Sequence, residues 1–207
     1  MHFALNEDQI AVRDMARAFA AEKIAPHALR WDEEKHFPVD VMREAATLGM
    51  GGIYIKDDVG GSAMTRFDAA LIFEALATGC PTVSAFISIH NMASWMIDAY
   101  GNDTQRQKWL PKLCTMELIA SYCLTEPGAG SDAAALRTRA VREGDHYVLN
   151  GQKQFISGAG GTDLLVAMVR TGGDGPGGVS TLVIDGNAPG VSHRAAADRA
   201  VQRPACG

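Results

Sequence analysis

Apolar positions in the first half of the chain repeat with a helical period. Val12, Met15, Ala16, Phe19 and Ala20 fall at i, i+3, i+4, i+7 and i+8, which is one stripe along a helix. Asn6 or Asp8 stands where a cap would start it, and Pro26 marks its end. A second helix is predicted after Pro38, through Val41, Met42, Ala45 and Leu48, stopping at Gly49. Gly51, Gly52, Gly60 and Gly61 bracket an irregular link around Ile53-Tyr54-Ile55. A third helix spans Arg66 to Ala77. The fourth, Pro81 to Tyr100, carries only His90 and Asp98 as charged-type side chains, the pattern of a helix surrounded by others. His90 there reads as a hydrogen-bonded histidine of the core or a pocket rim rather than a ligand. A fifth helix, Thr104 to Leu113, has its cap at Asp103 or Thr104.

The period changes near Leu118. Ile119 to Thr125 reads as a strand, and Ala133 to Arg142 suits helix or strand equally. His146-Tyr147-Val148-Leu149 and Gln152 to Ile156 flank Asn150-Gly151, a dipeptide that tolerates the positive φ of a type I′ turn, so a hairpin is predicted there. Leu164 to Val169 and Ser180 to Ile184 are further strands, separated by a loop holding five glycines and Pro176. The fold class that follows is α+β: a helical bundle over residues 1–117, then an antiparallel β-domain over 118–193. Residues 194–207 show neither alternation nor a usable apolar face and are expected to be disordered.

Composition narrows the function. Of 207 residues 47% are hydrophobic and 21% charged, as in ordinary globular proteins. A formal net charge of -5 disfavours nucleic acid as partner, because phosphate backbones are met by clustered Lys and Arg. No apolar run is long enough to span a membrane, and no secretory leader or transit peptide is visible, which points to a cytoplasm or a mitochondrial matrix. Cys80, Cys114, Cys123 and Cys206 form no Cys-x-x-Cys pair and are expected reduced, and the six histidines lack ligand spacing, so no metal is expected.

The richest stretch is Tyr122-Cys123-Leu124-Thr125-Glu126-Pro127-Gly128-Ala129-Gly130-Ser131-Asp132. Pro127 stops any helix, and Gly128 and Gly130 are expected to allow backbone angles that a Cβ forbids. Such a loop can be a tight turn between strands. It can also bring N–H groups close to an anion or a ring, with the Thr125 and Ser131 hydroxyls as polar handles.

From Cys123 to Ala135 the run resembles the signature of the acyl-CoA dehydrogenase family, and the likeness extends from Leu5 to about Ser192. A second block, Asn150-Gly151-Gln152-Lys153-Gln154-Phe155-Ile156-Ser157, resembles the segment that in many members ends in Trp-Ile-Thr. With Ser121-Tyr122-Cys123-Leu124-Thr125 and Ile156-Ser157-Gly158-Ala159-Gly160, it looks most like the isobutyryl-CoA dehydrogenase branch of valine catabolism. The resemblance implies a helical domain followed by a β-domain, FAD as cofactor, an acyl-CoA substrate, an electron-transferring flavoprotein as acceptor and a homotetramer. An oxidase passing electrons to oxygen is the alternative within the family.

Carried onto this chain, the resemblance has Tyr122, Cys123, Leu124, Thr125, Gly130 and Ser131 lining one side of the flavin, with the Thr125 hydroxyl on the isoalloxazine. It places Ser131 near both the pyrophosphate and the acyl-CoA. Phe155, Ile156 and Ser157 would cover the ring, Ser157 replacing the usual threonine with the same single hydroxyl donor. The structural alternative for Phe155 is a hairpin residue packed on a core. The family's catalytic glutamate belongs to a C-terminal helical domain for which no counterpart is expected here, and the spacing of Glu74 and Glu126 supports neither as a substitute. After Ser192 the likeness stops abruptly, as translation of a shifted reading frame would make it. A non-catalytic fragment without that base is therefore the competing expectation.

Overall fold

The computed structural model describes residues 4–193; the tail expected to be disordered lies outside them. The chain forms two compact units, one running to Ile119 and the other starting at Ala120.

The first unit is helical: α1 Glu7–Phe19, α2 Ala28–Glu34, α3 Val39–Thr47, α4 Arg66–Ala77, α5 Pro81–Tyr100 and α6 Asp103–Cys114. Asn6 is the first cap. Its side chain accepts from the Gln9 N–H while Gln9 answers its own N–H, a reciprocal box. Asn102, one residue before the expected Asp103 or Thr104, caps α6 in the same way with Gln105. The chain does not leave helical geometry at Phe19 but widens into a π-turn, Ala20–Ile24, before Pro26. Helix α2 escapes a reading by periodicity because it is seven residues long and rests on two anchors, Ala28 and Trp31.

Helix α5 is buried as its composition predicts, and its polar residues have a purpose. The link over residues 48–64 lacks regular structure beyond one short 3₁₀ turn, so its backbone groups need partners. Asn91 supplies two of them: Oδ1 accepts from the Ile53 N–H at 2.7 Å, and Nδ2 donates to the Met50 carbonyl at 2.8 Å. Asp98 accepts from the Lys56 N–H at 3.3 Å and from Arg106 Nε at 2.9 Å. Ile53 and Ile55 are thereby held with no solvent exposure. His90 is a core residue, fully buried, with Nε2 3.0 Å from the Leu113 carbonyl. Burial, opposed by that carbonyl, depresses its pKa from 6.5 to about 4, so the ring is neutral.

The second unit is a five-stranded sheet: β1 Ala120–Cys123, β2 Arg139–Glu143, β3 His146–Asn150, β4 Leu164–Arg170 and β5 Val179–Asp185. The α+β class stands, but the sheet is mixed rather than wholly antiparallel. β4 runs parallel to β1 and, through the single pair Arg139–Arg170, to β2; it runs antiparallel to β5. Six of the seven residues of β4 are buried, which suits a central strand. The predicted hairpin is also displaced. Gly144-Asp145 makes the turn, with Gly144 at φ 65° and Glu143 opposite His146, so the ambiguous stretch before it supplies the partner strand. Gln152 to Ile156 lies outside the sheet, since Gln152-Lys153-Gln154 offers three polar residues in succession where a ladder needs alternation. Gly151 instead lets the chain pass against Thr138, whose atoms would lie 2.4 to 2.6 Å from an added Cβ.

Candidate functional site

Two loops from distant parts of the sequence meet in the second unit. The first leaves β1 at Cys123 and folds back on itself, the Glu126 N–H donating to the Ala129 carbonyl at 3.0 Å and the Ala129 N–H returning to Glu126 at 3.1 Å. The second is the stretch 151–157. Three bonds tie them: the Gln154 N–H donates to the Thr125 carbonyl at 2.8 Å, Lys153 Nζ to the Leu124 carbonyl at 3.0 Å, and the Ser121 hydroxyl to the Ser157 carbonyl at 2.7 Å.

Glu126 is the hub of this clamp. Its carboxylate takes Lys153 Nζ at 2.8 Å and the N–H groups of Arg137 and Thr138 at 2.6 and 3.0 Å. Burial alone would raise its pKa. The Lys153 ammonium and the donors at Thr138 and Arg137 outweigh it and bring the value from 4.5 down to about 2. The sequence pattern gives Glu126 no role as a base and singles out nothing at Lys153. A Glu and a Lys at fixed places in two motif blocks were the available signal. A carboxylate with these partners and so low a pKa is a poor proton acceptor, which removes Glu126 as a catalytic base.

The expected site residues divide into two groups. Cys123 and Ile156 belong to the apolar cluster with Ala140, Ala167 and Val169, so their side chains hold the sheet together. Burial pushes the Cys123 thiol up to about 12, against a small opposing effect of Lys153. Tyr122, Leu124, Thr125 and Ser157 are half-buried, whereas Gly130, Ser131 and Phe155 are exposed. Gly128 and Gly130 do not have positive φ, contrary to the conformational reason expected for them. Nothing lies within 4 Å of a Cβ added to either, so the fold itself leaves this space open. Phe155 is the strained residue: φ is 58°, and 53% of its surface is exposed. A bulky residue in the left-handed region costs about 1–3 kcal/mol and is held there by its surroundings. The exposed ring is thus kept at that cost on a loop bonded to the one that carries the two uncrowded glycines.

The model of the acyl-CoA dehydrogenase N-terminal domain matches residues 6–117, and that of the middle domain of the same enzymes matches residues 121–205. The chain belongs to the acyl-CoA dehydrogenase family. It is 55% identical over 188 residues to the mitochondrial isobutyryl-CoA dehydrogenase of Bos taurus, covering 91% of this chain and 45% of the bovine protein. The chain thus spans a little under half the length of that relative. Among solved structures, a probable acyl-CoA dehydrogenase of Mycobacterium abscessus superposes with a TM-score of 0.84 at 43% identity, over 89% of this chain and 50% of that one. A glutaryl-CoA dehydrogenase of Mycobacterium smegmatis in complex with FADH2 gives 0.84 at 27% identity, over 90% and 47%. Family membership fits the architecture, helices followed by a mixed sheet. Among the described residues no helix is long and apolar enough to cross a membrane, and no cluster of His, Cys, Asp and Glu could hold a metal ion.

Proposed function

We propose that the chain supplies the N-terminal and middle domains, residues 1–117 and 118–193, of an FAD-dependent dehydrogenase of short branched acyl-CoA thioesters such as isobutyryl-CoA. The observation that carries this reading is the clamped pair of loops, with open space at Gly128 and Gly130 on one and the strained, exposed Phe155 on the other. The residues present fit a flavin: an aromatic face at Phe155, hydroxyls at Thr125, Ser131 and Ser157, and backbone uncovered at the two glycines. FAD, when bound, supplies the acceptor for the hydride lost in forming the α,β double bond.

This chain's own residues position and enclose. Phe155 would shield one face from water, Thr125 and Ser157 would donate to polar edges of the ring, and Ser131 would meet the phosphates and the thioester chain. The Glu126–Lys153 pair keeps the two loops in register and takes no part in proton transfer. The acceptor of the family reading is an electron-transferring flavoprotein, the assembly a homotetramer, and the compartment that of the bovine relative, the mitochondrion, or the cytoplasm in a bacterium. The identity to a protein named isobutyryl-CoA dehydrogenase supports the branched substrate.

The test is to load the purified 207-residue chain with FAD, remove the excess, and add isobutyryl-CoA with an artificial electron acceptor. Retained flavin that bleaches with isobutyryl-CoA faster than with straight-chain thioesters supports the proposal in full. Retained flavin that no acyl-CoA reduces is the outcome expected of these two domains without the family's C-terminal base and upholds the cofactor part of the reading; failure to retain flavin refutes it. Oxygen uptake without an acceptor would replace dehydrogenase by oxidase.

A further inference from the structure

Strand β1 carries a hydroxyl where an apolar side chain would be expected. Ser121 is the register partner of Leu165 on β4, as Cys123 is of Ala167, and Cys123, Leu165 and Ala167 all belong to the apolar cluster of the second unit. Ser121 therefore sits on the apolar face of the sheet, with no solvent exposure. A hydroxyl is unfavourable at such a position unless it is hydrogen-bonded. Its partners come from two other segments: the Ser157 carbonyl at 2.7 Å and Thr162 Oγ1 at 2.8 Å. A carbonyl only accepts, so it takes the one Ser121 proton, and the Thr162 hydroxyl donates to Ser121 Oγ. The bonds thus run in one direction, from Thr162 to Ser121 to Ser157, and strengthen each other in this buried setting.

The segment they hold is the one with the strained Phe155. On its N-terminal side, the Gln154 N–H is bonded to the Thr125 carbonyl at 2.8 Å. On its C-terminal side, Ile156 packs into the apolar cluster and the Ser157 carbonyl is the next fixed point. The chain then turns through Gly158 and Gly160, at φ 78° and 85°, which bring no side chain to anchor it. The turn's own bonds, Ala159 N–H to the Ile156 carbonyl and Gly161 N–H to the Gly158 carbonyl, close within the loop, whereas Ser121 ties it to the sheet. A left-handed φ at phenylalanine persists only where the surroundings over-determine it. The buried hydroxyl pair secures the flank that the glycines leave loose.

We propose that Ser121 and Thr162 are positioning residues for the cofactor: their hydroxyl pair pre-sets residues 155–157 as the face that covers the flavin. Both act through the Ser157 backbone and need not touch the ring. This inference rests on the flavin reading under Proposed function, which assigns Phe155 and Ser157 to that face.

The experiment compares the native 207-residue chain with Ser121→Ala, Thr162→Val and Thr162→Ser, by nitrogen-15 relaxation without flavin and by FAD titration. In the native chain the Phe155 and Ser157 amides should be as rigid as the sheet, with order parameters of about 0.85. In Ser121→Ala they should fall towards about 0.6, while the Val166 and Ala167 amides of β4 stay rigid and report a folded unit. FAD affinity should weaken roughly tenfold, as loss of one buried hydrogen bond does, and the visible band of the bound flavin should shift. Thr162→Val keeps the Ser157 bond and should fall between, whereas Thr162→Ser keeps the hydroxyl and should match the native chain. Unchanged order parameters at Phe155 and Ser157 in Ser121→Ala, or in Thr162→Val, overturn the proposal. Looser amides with flavin affinity and spectrum unaltered also overturn it, and leave the flavin reading standing. No FAD binding by the native chain is a separate failure, that of the flavin reading itself, and the proposal falls with it.

Discussion

Replacing Lys153 by Met isolates the clamp between the two loops. The change removes the ammonium that meets Glu126 at 2.8 Å and the Leu124 carbonyl at 3.0 Å, in a pair whose side chains are 13% and 7% exposed. Glu126 keeps the N–H groups of Arg137 and Thr138, so the charge is not stranded. The loss is therefore expected below the 3–5 kcal/mol of a fully orphaned buried ion, at about 2 kcal/mol. The pH dependence gives an independent reading. A carboxyl held at about 2 rather than 4.5 stabilises the fold fully above pH 4.5, and that contribution disappears as pH falls through 2. Its ceiling is ~3 kcal/mol, and solvent screening at the rim reduces it to roughly half. The gap between the native chain and Lys153→Met should thus be widest at neutral pH and close between pH 4.5 and 2. All three tryptophans lie in the first unit, so hydrogen exchange at the Arg137, Thr138 and Gln154 amides is the suitable probe of the second. Faster exchange at these amides at pH 7, with the difference shrinking in acid, is expected. Protection unchanged at pH 7 would refute the claim that the ion pair holds the loops together.

Other outcomes follow from the same geometry. Asn91→Leu strands the Ile53 N–H and the Met50 carbonyl, and urea unfolding of the first unit followed by tryptophan fluorescence should show a loss of roughly 2–4 kcal/mol. His90 is neutral with a pKa of about 4 against 6.5 when unfolded, so below pH 6.5 the unfolded chain binds the extra proton and stability falls until about pH 4. His90→Gln should flatten that slope, worth up to ~3 kcal/mol, in the same urea titrations. Gly128→Ala and Gly130→Ala should leave the melting temperature nearly unchanged, because an added methyl meets nothing within 4 Å, yet lower flavin retention. Burial raises Cys114 to about 11 and Cys123 to about 12, so neither should react with an alkylating agent at pH 8 until the chain is unfolded.

Much of the helical unit is legible in the sequence because its signals are local. The stripe from Val12 to Ala20, the near absence of charge along Pro81–Tyr100 and the cap-forming Asn6 each act within a few residues. Helix α2 is missed because two anchors make no period. The sheet is harder for a different reason. His146–Asn150 is flanked by two dipeptides able to turn, Gly144-Asp145 and Asn150-Gly151, and the choice is made by long-range packing of Ala140 and Leu149 against Cys123, Ala167 and Val169. Parallel pairing of β1 with β4 joins residues more than forty positions apart and leaves no local trace. In the candidate site the motif blocks are readable, but not what binds them together. Lys153 and Glu126 stand in separate blocks, and only the folded chain shows them in contact. Phe155 illustrates the converse: its type is visible in the sequence, whereas its φ of 58°, the feature that marks it out, is not.

The central claim is that the two clamped loops form one wall of a flavin site. Its most direct measurement is the visible flavin absorbance that remains with the 207-residue chain after FAD loading and gel filtration, compared with Phe155→Gly. Glycine relieves the strain at φ 58°, so the variant should fold at least as well, within about 1 kcal/mol. The account predicts a retained flavin band for the native chain and a marked loss for the variant. Equal retention by both, or none by the native chain, would contradict it.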